Sequence, residues 1–155
     1  MNIASDTDRI ERSIVINAPR ERVWLALSSA EKFGTWFGAD LRGQSFAPGQ
    51  PVRGLMNGSC GHDNLFFNAI IERIEPIELF SYRWHPGAVD PAMDYSAEEK
   101  TLVTFLLEDA PEGTLLTVVE SGFDQVPAHR RAEAFRMNTG GWAFQMNNLV
   151  KYVSA

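Results

Sequence analysis

The sequence predicts an α+β domain: a strongly curved antiparallel sheet of about six to seven strands wrapped around a long C-terminal helix, with two short helices after the first strand. Three observations carry this. Strand-like segments follow one another from about residue 40 to 121 with short connections apart from one loop, which makes an antiparallel meander. The stretch from Pro127 to Val153 is free of proline inside and carries apolar residues at helical spacing. That helix is the only element long enough to cover the apolar face of such a sheet.

Each element has its own signal. Ile10, Ile14, Val15 and Ile16, with charged residues between the first and the rest, read as a strand, and Asn17-Ala18-Pro19 stops it. Pro19 suits the first position of a helix, where its missing N–H is unpaired anyway. Val23, Trp24 and Leu27 form the buried stripe of that helix. Ser28 followed by Glu31 reads as a capping box opening a second helix, with Phe33, Trp36 and Phe37 inward and Gly34 and Gly38 limiting its length. Residues 40–46 and 50–56 are expected to pair across Ala47-Pro48-Gly49, and Asn57-Gly58 to turn. Leu65 to Ile74 and Leu79 to His85 read as strands, the second with Phe80, Tyr82 and Trp84 on one face. Pro86 to Glu99 reads as a long loop. Thr101 to Leu107 and Thr114 to Ser121 are the last strands, joined by the hairpin loop 109–113. In the final helix Phe135, Trp142, Met146, Leu149 and Val153 share one stripe. Gly140-Gly141 predicts a bend or a close backbone approach.

Length and composition bound the function. The 155 residues fit one domain over 1–155, with 1–8 expected to be flexible. Fourteen basic and twenty acidic residues leave a net charge of −6, which argues against nucleic acid or an anionic membrane surface as partner. No apolar run approaches the roughly 20 residues that span a bilayer. The polar, acidic start is unlike a signal peptide, so a cytoplasmic location is expected. The single cysteine, Cys60 in a presumed turn, excludes a disulfide within the chain and an iron–sulfur cluster. No Gly-rich dinucleotide fingerprint appears. His62, His85 and His129 lie on three separate elements with no metal-binding spacing. Neither a cofactor nor a metal is expected.

Taken in order, several segments resemble one family: Ala18-Pro19-Arg20-Glu21-Arg22-Val23-Trp24, Trp36-Phe37-Gly38, Glu75-Pro76 leading to Tyr82-Arg83-Trp84, Gly113-Thr114-Leu115-Leu116-Thr117 running into Glu120-Ser121-Gly122-Phe123, and Gly141-Trp142. They resemble the activator-of-Hsp90-ATPase-like family of the START/Bet v 1-like superfamily, over about Arg9 to Val153. The resemblance implies the helix-grip fold of a bacterial-type protein. It leaves function open, because that superfamily contains lipid carriers, hormone binders, cyclases and a co-chaperone domain.

The candidate site is the concave face. Trp36, Tyr82, Trp84, Phe105, Phe123 and Trp142 are expected to wall an apolar cavity. Met146 and Leu149 contribute from the last helix, and Glu120, Tyr82 or Gln145 serve as polar anchors. Asn138 flanks the same stripe. Glu120 shares its face with Leu116 and Val118, although Leu115 and Val119 make the opposite parity apolar too. It reads either as a structural brace for the last helix or as a ligand anchor or general base. Arg130 and Arg131 are expected on a solvated face, as is His129. The expected partner is a hydrophobic or aromatic small molecule bound by a monomer or weak homodimer. A cyclase- or hydrolase-like enzyme would need Glu120 beside His85 or Tyr82. A co-chaperone would need an exposed apolar patch.

Overall fold

The computed structural model describes residues 7–56, 65–90 and 92–154. Six strands, β1 (Arg9–Ile16), β2 (Pro51–Leu55), β3 (Phe66–Glu75), β4 (Leu79–Trp84), β5 (Thr101–Ala110) and β6 (Gly113–Ser121), form one antiparallel sheet. Its order is β1-β6-β5-β4-β3-β2. The helices are α1 (Arg20–Ser28), α2 (Ala30–Phe37) and α3 (Ala128–Ser154), with a short 3₁₀ turn at Phe123–Gln125. The curved sheet and long helix are those predicted from the pattern.

Local chemistry explains the boundaries. Pro19 stands one place earlier than expected, as the extended residue before α1. The α2 cap is Ser29 rather than Ser28: its side chain accepts from the Lys32 N–H, because the two helices are separated by that single extended residue. Gly38 ends α2 at φ 98°, and its N–H returns to the Gly34 carbonyl, a left-handed cap that glycine adopts without side-chain clash. A bulge between Ile71 and Arg73 shifts the register of β3 against β4. Before it Phe67, Ala69 and Ile71 face inward, whereas after it Ile74 packs on the core. Bulges of this kind add twist and help curve a sheet.

Three expectations are corrected. Residues 40–46 form no strand: Leu41 is buried, and Phe46 stacks on Phe80 at 5.1 Å, so this stretch is a loop pinned by two apolar residues. The glycine pair in α3 makes no close approach, since a Cβ at Gly140 or Gly141 meets nothing within 4 Å, and the helix runs unbroken through it. Asp8, placed in a flexible terminus, is tied down instead. Its carbonyl accepts from the Gly122 and Phe123 N–H groups and its carboxylate from the Asp124 N–H, while Thr7 donates to Asp124 at 2.7 Å. Cys60, His62, the Asn57-Gly58 turn and residues 1–6 lie outside the described residues.

The centre of the molecule is filled by α2. The Phe33 ring lies 4.8 Å from Trp36, 5.1 Å from Phe37, 5.5 Å from Phe67 and 6.0 Å from Tyr82. Two of these pairs are edge-to-face, one is stacked and one tilted, and ring pairs of this kind add roughly 0.5–1.5 kcal/mol each beyond area burial. On α3 the inward stripe is Ala134, Trp142, Met146, Leu149 and Val153, all buried, with Phe135 packed edge-on against Phe123 at 5.1 Å.

Candidate functional site

The inward parity of β6 is decided by burial: Leu116, Val118 and Glu120 are 0–1% exposed. Glu120 lies opposite Ile10 on β1 and Val103 on β5. Its carboxyl group accepts five hydrogen bonds from four side chains on three elements. The Trp142 indole and the Asn138 amide donate to Oε1 at 2.7 and 2.9 Å. The Thr101 hydroxyl and the Trp84 indole donate to Oε2 at 2.6 and 2.7 Å, and Asn138 also reaches it at 3.1 Å. Acting only as an acceptor is the pattern of an ionised carboxylate. Its compensation comes from aimed neutral dipoles, and no Lys or Arg pairs with it among the described residues.

This arrangement ties β4, β5, β6 and α3 together at one atom pair. It also fixes the two indoles, whose ring centres lie 5.9 Å apart with planes tilted 36°. Those rings line a cavity of about 580 Å³ at the open end of the sheet. Its floor includes Phe37, Phe67, Trp84 and Trp142; α3 adds Met137, Asn138, Gly141 and Gln145; and the β4–β5 loop closes one side with residues 87–90 and 93–96.

The loop is held in place. Arg130 forks onto Glu98 with bonds of 2.6 and 2.8 Å, donates to the Pro86 carbonyl at 2.7 Å and lies over the Tyr95 ring. Its side chain is 12% exposed, which corrects the expected solvated face: the partner sits 32 residues away in a loop that pattern reading leaves blank. Gly87, at φ +63°, passes so close to Ala134 that a Cβ would stand 3.1 Å from its Cα and Cβ. His85 bonds the Glu98 carbonyl through Nε2 at 3.0 Å, and burial holds its pKa below the ordinary value.

Of the ten residues expected at the site, Trp84, Trp142 and Gln145 line the cavity. Gln145 does so with its amide committed to the Phe37 carbonyl and to Asn148. Trp36, Tyr82, Phe105, Phe123, Met146 and Leu149 are buried in packed core, with the Trp36 indole donating to the Ala26 carbonyl at 2.8 Å. Glu120 lies behind the indoles with all its bonds to protein. Neither His85 nor Tyr82 is among its partners. The Tyr82 hydroxyl is buried without a hydrogen-bond partner, and burial, reinforced by the Glu120 charge, holds its pKa well above the ordinary 10.0. His129 is exposed. Residues of the β4–β5 loop, such as Met93 and Tyr95, were not foreseen in the cavity wall, for a polar loop with prolines carries no periodic signal. Leu55 and Ile70 are exposed outside the cavity on the outward face of β2 and β3, while Phe66, with Arg53 over its ring, belongs to the cavity lining.

No helix among the described residues is long and apolar enough to cross a membrane. A family model described as Activator of Hsp90 ATPase homolog 1-like protein matches residues 17–154. None of the curated proteins matches the chain. Among solved structures, a Mesorhizobium loti protein is 25% identical, covering 94% of this chain and 96% of its own, with a TM-score of 0.71. DynU16, from the dynemicin biosynthetic locus, is 24% identical with a TM-score of 0.70; the match covers 96% of this chain and 48% of DynU16. An Arthrobacter aurescens protein shares the fold at 14% identity, covering 99% and 91% of the two chains with a TM-score of 0.72.

Proposed function

The chain belongs to the Activator of Hsp90 ATPase homolog 1-like family, and we propose that it holds a small apolar or aromatic molecule in the cavity beside Trp84 and Trp142. The observation that carries this reading is the cavity itself, about 580 Å³ and walled by two indoles whose orientation Glu120 sets. That volume falls in the range of roughly 300–1,000 Å³ usual for small-molecule sites. Aromatic walls with a few polar groups are their usual lining. Pre-set walls also lower the ordering cost of binding. A cytoplasmic monomer or weak homodimer without an obligatory cofactor is part of the same proposal.

In this reading Glu120 is a brace rather than an anchor, because every bond it accepts comes from the protein. The site works as a container, since the acid–base pair that an enzyme of this cavity needs is not assembled around Glu120. The test is a titration of an aromatic and lipid library against the protein, read by amide shifts and by tryptophan emission. Binders should shift amides in 84–90 and 137–145 and leave the α1 amides unmoved. A broad library with no binder at this end of the sheet would sink the reading.

A further inference from the structure

Around the two indoles the cavity wall has committed most of its hydrogen-bond donors. Both lining indole N–H groups point back to Glu120. The Asn138 amide nitrogen does the same, and one N–H of Gln145 is given to the Phe37 carbonyl. An indole without its N–H presents only its face, the electron-rich surface that attracts cations and the edges of other rings.

Acceptors remain. The Glu120 carboxyl accepts at both oxygens, so the Asn138 amide must turn its nitrogen there and its Oδ1 away. The His85 Nε2 faces a carbonyl oxygen, so that nitrogen carries the hydrogen and Nδ1 is left as the acceptor. Asp90 and Asp94 stand on the loop side, each accepting a backbone N–H, from Ala92 and Ser96. Three groups on the lining run the other way, the Asn68 amide being one. Arg53 is laid over the Phe66 ring, and the Tyr95 hydroxyl, which accepts from the Asp90 N–H, keeps its own hydrogen.

We propose that this cavity selects planar aromatic molecules bearing a hydrogen-bond donor, an ammonium or a phenol, over the same ring bearing a carboxylate. This rests on the binding reading above and adds the sign of the ligand's polar group. An anion beside the two indoles would meet aromatic faces, acceptor atoms and two aspartates, while the indole, Asn138 and Arg130 donors nearby are committed to Glu120 and Glu98. A donor or cation meets Asn138 Oδ1, His85 Nδ1 and the indole faces.

The test uses one ring with three substituents: 2-naphthylmethylamine, 2-naphthol and 2-naphthoate, titrated into the full chain at neutral pH and 0.15 M salt. Affinity comes from equilibrium dialysis and location from amide shifts. The amine and naphthol should each bind at least tenfold tighter than naphthoate. Asp94→Asn, an exposed change that does not threaten folding, should weaken the amine several-fold and leave naphthol unchanged. Asn138→Leu should weaken naphthol. Naphthoate binding as tightly as the other two, with shifts at 84–90 and 137–145, would overturn the selectivity and leave the cavity standing. None of the three moving those amides would count against the cavity itself.

Discussion

Replacing Glu120 tests the brace directly. Glu120→Leu keeps an apolar side chain of similar bulk but strands four donors: the indoles of Trp84 and Trp142, the Thr101 hydroxyl and the Asn138 amide. A buried donor left without a partner costs about 1–3 kcal/mol. The largest share falls on Trp142, which is only 2% exposed. The Thr101 hydroxyl can rotate, and Trp84 and Asn138 reach the cavity, where water relieves part of their loss. The total is about 3–5 kcal/mol, a large share of the roughly 5–15 kcal/mol that stabilises a domain. Glu120→Gln preserves shape and one acceptor oxygen, but turns N–H groups toward donors on the other side and costs about 1–3 kcal/mol. Urea unfolding followed by far-UV circular dichroism should therefore rank wild type above Gln and Gln above Leu, with similar m-values. The near-UV signal of the tilted indole pair should weaken in the same order. A Leu variant within about 1 kcal/mol of wild type would refute the idea that these donors depend on Glu120.

Other consequences follow from groups around the same core. Tyr82→Phe removes a buried hydroxyl without a partner, so it should leave stability unchanged or raise it by about 1 kcal/mol, and a loss of that size on unfolding curves would contradict the orphan assignment. The pH dependence has a fixed sign. In the unfolded chain the Tyr82 phenol ionises near pH 10, whereas in the fold its pKa is raised by burial and by Glu120. The unfolded state then holds fewer protons, and stability falls as pH rises past about 10, by up to about 1.4 kcal/mol per unit; the Phe variant should show a shallower fall. Arg130→Ala removes the fork to Glu98, the bond to Pro86 and the cover over Tyr95. Amide exchange in residues 86–99 should quicken at least tenfold while β5 and β6 stay protected. Gly87→Ala should produce the same exchange pattern, through a strained φ and a contact 3.1 Å from Ala134.

Element types were legible because they rest on local periodicity: the alternating aromatics of β4 and the stripe of α3 need only their own neighbours. Parity within β6 was not, since Leu115 and Leu116, and Val118 and Val119, offer apolar residues to both faces. Pairing with β1 and β5 decides it. Phe66-Phe67 and Ile70-Ile71 in β3 pose the same problem, and there the bulge changes the answer halfway along. That α2 fills the centre is a fact of three dimensions, and it leaves Trp36, Tyr82 and Phe105 in packed core while the cavity opens beside Phe37, Phe67, Trp84 and Trp142. The donors to Glu120 lie 18 to 36 residues away in sequence. A single carboxylate on an inward face can be recognised, but the four groups that meet it come from separate elements.

The sheet order has a consequence for how the protein is made. The first strand in the chain pairs with the last, Arg9 opposite Ser121 and Ile16 opposite Thr114. During synthesis at roughly 5–20 residues per second, β1 waits on the order of 5–20 s for its partner to emerge. Throughout that interval Ile10 and Ile16 lack their partner strand, and the aromatic face of α2 is covered only as β3, β4 and β5 emerge. Long-range closure of this kind also slows folding from the denatured state. A nascent chain halted after β5 should therefore be sticky and open to proteases, and release of the β6 segment should switch it abruptly to a resistant form.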